Sequence, residues 1–141
     1  MTKEELEKIN NLDLEYNSQL WHVRNYFMFS FYMAGIRVGD VLDLRWENVK
    51  DDRLIYVMQK TNSHCSLILL VKAQAILDLY KNENSKSTDY IFPIMTMYEN
   101  KKYKSRQISE INSLTISFIF SYLLLSIHFL FFELIKFLIR L

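Results

Sequence analysis

One cysteine, one proline, two glycines and three histidines are spread over 141 residues. The lone Cys65 cannot close an internal disulfide, and no Cys/His cluster has the spacing of a zinc site, so both kinds of small stapled scaffold are excluded. A reducing compartment follows. With so little glycine and proline, long flexible linkers are also excluded, and at this length a single domain is the default expectation. A basic excess is missing too: the formal net charge is +1, so any nucleic-acid reading must rest on local features. The N-terminal "MTKEELEKIN" is charged and amphipathic, unlike a secretory signal peptide, and points to the cytoplasm.

What the chain has in quantity is apolar residues, half of the total, enough for a real core. Charge is unevenly placed, nearly all of it before Arg106. Thr2 followed by Glu5 is a capping-box pattern that predicts a short helix through about Asn10, with residues 11–18 as a loop. Leu20 to Ala34, "LWHVRNYFMFSFYMA", is apolar almost all round apart from Arg24 and Asn25, as expected of a helix in the middle of a core. On that helix His22 reads as a packed core histidine. Gly35 stands where a helix C-terminus needs a left-handed residue, and Asp40 is placed to cap the next short helix, "VLDLRW". Arg37 therefore falls on a corner between two helices.

Two β-rich runs, "RLIYVM" (53–58) and "SLILLV" (66–71), predict a hairpin joined by "QKTNSHC", with Lys60 and His64 at its tip. Ala73, Ile76, Leu77 and Tyr80 recur at helical spacing. "YIFPIM" (90–95) is expected to be extended, because Pro93 pushes Phe92 out of the helical region. A basic run, "KKYKSR", follows at 101–106, and no internal repeat is visible. His64 and Cys65 are neighbours, but without a third group they make a weak nucleophilic pair.

The stretch "AGIRVGDVLDLRWENV" resembles the first arginine box of the tyrosine recombinases, the phage-integrase family, through Gly35, Arg37, Gly39, Asp40, Leu44 and Trp46. "VMQKTNSHCSLILLVKAQAILDLY" is similar to the family's lysine hairpin and the helix after it, and "YIFPIM" to the segment beyond. The resemblance implies DNA integration and recombination, with double-stranded DNA as the partner, homo-oligomers on DNA in the intact family, and neither cofactor nor metal. By the same resemblance Arg37 is a catalytic phosphate clamp, Asp40 supports the arginine's orientation, and Lys60 is the general acid for the leaving 5′-oxygen. Guanidinium donors suit the extra charge on non-bridging oxygens in a phosphorane-like transition state. Arg37, Lys60 and the nearby Arg45 are the expected DNA contacts, made through phosphates.

The family pattern then continues with a His-x-x-Arg box, a second His or Trp and a tyrosine nucleophile. This sequence offers none of them in order: its last histidine, His128, is followed by "FLF". The expectation is a truncated, partial catalytic domain over residues 1–110 that does not cleave DNA by itself. The segment 111–141 is an apolar tail, and residues 111–132 contain no Asp, Glu, Lys or Arg, a length able to span a bilayer. Ser113, Ser117 and Ser121 add a small-residue stripe of the kind that packs membrane helices. Two accounts stand open. In one the tail is a frameshift product, since its Phe, Leu, Ile and Ser are what AT-rich DNA encodes out of frame. In the other the chain is a small membrane-attached protein with no DNA role. The fold class expected is α+β, mostly helical, with a small antiparallel sheet and a C-terminal apolar helix.

Overall fold

The computed structural model describes residues 2–93 and, isolated beyond them, Ser113. The basic run at 101–106, the C-terminal apolar helix and the membrane segment at 111–132 lie outside the described residues, apart from Ser113. Among the described residues no helix is long and apolar enough to cross a membrane.

Helix α1 (Lys3–Asn10) begins as the Thr2/Glu5 pattern predicts: Thr2 Oγ1 accepts from the Glu5 amide, and Glu5 Oε2 accepts from the Thr2 amide. Its Leu6 and Ile9 are buried against the long helix α2 (Gln19–Tyr32), which Ser18 caps through the Trp21 amide. The two polar exceptions on α2 have definite work. Arg24 donates to the carbonyl of Leu12, tying the loop before α2 to the helix, and to Oδ1 of the buried Asn25.

Helix α2 ends in a left-handed turn built by two residues rather than one. Ala34 (φ 58°) and Gly35 (φ 76°) are both left-handed, and the Gly35 amide donates to the Ser30 carbonyl at 2.8 Å, the six-to-one bond that closes such helix ends. The next helix, α3 (Val38–Leu42), starts three residues before the expected "VLDLRW", and a short 3-10 turn follows at Trp46–Asn48. The reason is Arg37, whose extended backbone (φ −67°, ψ 143°) takes the position before the helix with no side-chain cap. Asp40 is thereby moved from the expected cap into the first turn of α3.

Strands β1 (Val49–Lys50), β2 (Arg53–Val57) and β3 (His64–Ile68) form one antiparallel sheet in that order. Strand β3 begins two residues earlier than the sequence suggests and stops at Ile68, because the apolar run "SLILLV" is divided: its last residue, Val71, opens helix α4 (Val71–Asp78). Alternation puts Leu54, Tyr56, Cys65 and Leu67 toward the core and Ile55, Val57, His64 and Ser66 outward. His64 and Cys65 therefore face opposite sides of the sheet and cannot act together.

From α4 the chain returns to the segment after α3: the Ile91 amide donates to the Leu44 carbonyl at 2.9 Å, and Tyr90 bridges Arg45. This return carries Phe92 into the core, edge-on to Tyr26 (5.1 Å between centroids), Phe29 (5.5 Å) and Tyr80 (4.9 Å). Complete burial of such a ring contributes about 1.5–3 kcal/mol. The observed class is α+β, with helices around a small antiparallel sheet.

Candidate active site

The corner between α2 and α3 fixes the backbone of Arg37 from both sides. Ahead of it Ile36 is buried, and its carbonyl accepts from Ser30 Oγ; behind it the Arg37 carbonyl accepts from the Val41 amide at 2.9 Å. The side chain itself is exposed. A cation on a clamped backbone loses little further freedom when it meets a ligand, which is the condition for a preorganised electrostatic site.

Lys60 sits in the tight loop between β2 and β3. The Met58 amide donates to the Ser63 carbonyl and the Asn62 amide to the Met58 carbonyl, each at 2.9 Å, and Asn62 takes the left-handed conformation (φ 54°) that lets so short a loop close. Lys60 is exposed at its tip. The loop is held against α3 by its first residue: the Gln59 amide donates to Oδ1 of Asp40 at 3.0 Å, and Gln59 Nε2 donates to Asp43 Oδ2.

These contacts bring the corner and the hairpin to one open cleft of about 640 Å³, walled by Ile36, Arg37, Val38, Gly39 and Asp40 on one side and Gln59 and Lys60 on the other. Among the described residues the one ion pair is Lys3–Glu7, at 3.9 Å, and no side-chain hydrogen bond occupies the head of Arg37 or Lys60. Two cations thus line one cavity without a salt bridge to either, with the carboxylate of Asp40 in the same wall. Tyr56, 7% exposed, lies near enough to Asp40 and Arg37 to feel both charges. Burial, then its hydrogen bond and charge interaction with Cys65 and the negative charge of Asp40, push the Tyr56 phenol up to about 12, while Arg37 pulls it down. Tyr56 is turned into the core and does not line the cleft.

Arg45 has a different setting. Its guanidinium lies 4.0 Å from the centre of the Tyr90 ring and donates to the Thr88 carbonyl, which locks the return segment to the residues after α3. It does not line the cleft. His22, half-buried at the rim of the core rather than inside it, has both ring nitrogens engaged: Nε2 meets Asn17 Oδ1 and Nδ1 meets the Tyr80 hydroxyl, each at 3.0 Å. Burial lowers its pKa. A second cavity of about 320 Å³ lies against this group, between Tyr16, Trp21, Trp46 and Tyr90, and among the described residues no lysine or arginine lines it. Among the described residues no group of three or more His, Cys, Asp or Glu could hold a metal ion.

Arg37 thus stands on a helix corner and Lys60 on a tight hairpin. The model of the phage integrase family matches residues 1–116 of the chain. The chain belongs to the phage integrase family. No curated protein and no solved structure matches it. Among the residues lining the cleft, sequence reasoning missed Gln59. Gln59 stands directly before Lys60, and a glutamine beside a candidate acid was the available signal.

Proposed function

We propose that this integrase-family chain binds duplex DNA through a backbone phosphate held in the Arg37/Lys60 cleft, as the first-arginine part of a recombinase active site. The observation that carries the reading is the pair of cations, neither held in a salt bridge, lining one cavity. Arg37 offers bidentate donors to the non-bridging oxygens, whose negative charge grows in a phosphorane-like transition state. Lys60, on its hairpin tip, contacts the same phosphate, at the place where a complete family site, with its tyrosine attacking phosphorus, would protonate the departing 5′-oxygen. The sequence to Leu141 contains no His-x-x-Arg box followed by a tyrosine. Groups that act as a unit lose activity far out of proportion when some are missing, so this chain alone binds DNA without cleaving it. Arg45, engaged with Tyr90 and Thr88 outside the cleft, is the third phosphate contact of this reading.

Anisotropy of a fluorescent duplex, measured over a salt series, tests this. Binding is expected to weaken as salt rises, and Arg37→Ala and Lys60→Ala are each expected to weaken it roughly fivefold to tenfold and to reduce the salt slope by about 0.9. Equal binding by the double variant would remove the reading.

A further inference from the structure

Asp40 is 6% exposed, yet no arginine or lysine pairs with it among the described residues. The bond the structure gives this carboxylate is to the backbone of the lysine hairpin: Oδ1 accepts from the Gln59 amide at 3.0 Å, across 19 positions of sequence. In the hairpin, the amides of Met58 and Asn62 are satisfied inside the loop, by Ser63 and Met58 carbonyls. The Gln59 amide is satisfied from outside it. A second strut runs beside the first, from Gln59 Nε2 to Asp43 Oδ2 at the C-terminal end of α3. Lys60 is the next residue along.

Resting on the phosphate-binding reading above, we infer that Asp40 and Gln59 form a clasp that positions Lys60, so that the acid of the arginine box acts on the lysine as well as on its own corner. Charge-assisted bonds to backbone amides are among the stronger hydrogen bonds, and a buried carboxylate has few competing waters. Helix α3 carries Arg37 at its start and Asp40 in its first turn. One short helix therefore sets the spacing between both cations of the cleft. Without the clasp the loop keeps its internal bonds but loses its fixed attitude toward Arg37. Asp40 and Gln59 touch no reacting atom and are positioning residues.

The discriminating feature is that the clasp needs an acceptor at Asp40, whereas an electrostatic role would need a charge. Amide hydrogen exchange on the isotopically labelled full chain is expected to show the Gln59 amide protected in the wild type and in Asp40→Asn. In Asp40→Ala it is expected to exchange at least tenfold faster, with Met58 and Asn62 unchanged. On duplex DNA, the penalty for Lys60→Ala is expected to shrink threefold or more in the Asp40→Ala background and to stay full in Asp40→Asn. Gln59→Ala tests the second strut alone: Gln59 is exposed, so the core is untouched, its amide still donates to Asp40, and the Lys60→Ala penalty is expected to shrink only in part. The clasp is overturned if the Gln59 amide of the wild type exchanges as fast as an unbonded loop amide, a result that needs no variant to fold, if Gln59 exchange is the same in the wild type and Asp40→Ala, or if Asp40→Asn exchanges as fast as Asp40→Ala. Failure of the wild type to bind DNA would sink the phosphate reading alone, because exchange at Gln59 reports the clasp without DNA.

Discussion

Two polar regions of this molecule are built on opposite terms. Around Tyr80, each polar side chain answers another: Arg24 donates to Asn25, Asn25 Nδ2 donates to the Tyr80 hydroxyl at 3.2 Å, and that hydroxyl meets His22, which in turn meets Asn17. Trp21, Tyr26 and Phe92 pack against the same group. At the cleft, by contrast, Arg37 and Lys60 are exposed on fixed backbones with their heads unengaged. A satisfied buried network stiffens the fold and can do nothing else, whereas an unsatisfied pair of cations adds little to stability and is available to a phosphate. The contrast separates the residues that hold the domain from those that act.

Breaking the aromatic side should have the largest effect. Phe92→Ala empties the ring site between Tyr26, Phe29 and Tyr80 and is expected to destabilise by about 3–5 kcal/mol in urea titrations. A loss under 1 kcal/mol would mean that the return segment does not close the core.

The pH dependence should come from the same region, with opposite signs at its two ends. Burial raises the pKa of Tyr80 and of Tyr26 above the ordinary value, so the unfolded chain ionises first and stability falls as pH climbs past about 10. Burial lowers the pKa of His22, so the unfolded chain takes up its proton first. That contribution is present above about 6.5 and is lost as pH falls below it. Melting temperature across pH 5 to 11 checks both arms, and His22→Gln is expected to flatten only the acid one.

The smallest effect is the sharpest test of the comparison. Arg37→Ala is expected to change folding stability by no more than about 0.5 kcal/mol, since the side chain is exposed and unpaired, while DNA binding drops as stated above. If its stability loss rivalled that of Phe92→Ala, the two regions would not be separable.

Much of this was legible in the sequence because it depends on neighbours in the chain. The Thr2/Glu5 capping box, the helix through Phe29 and the corner at Gly35 are local patterns with local causes, and the box around Arg37 fixed the place of the first cation. The legible part thinned out where packing decides. "SLILLV" is one apolar run in sequence, yet it serves a strand at one end and a helix at the other, and hydrophobicity does not mark the division. Asp40 has the composition of a cap, but Arg37 occupies the cap position, and the carboxylate's partner is 19 positions away. Arg45 carries the same charge as Arg37, and only the tertiary return of Tyr90 and Thr88 claims it. His22 on an apolar helix reads as core; its two hydrogen bonds reach a loop and a distant tyrosine that periodicity cannot pair.

The return of Phe92 to Tyr26 also sets an order on assembly. The bond between Asp40 and Gln59 closes a chain segment of 19 positions, whereas the ring contact of Phe92 must gather the chain from Tyr26 onward. By loop-closure entropy the longer closure costs roughly 1–2 kcal/mol more, and contacts near in sequence form sooner. A nascent chain emerging residue by residue therefore has both walls of the cleft in hand before the Phe92 wedge has been synthesised.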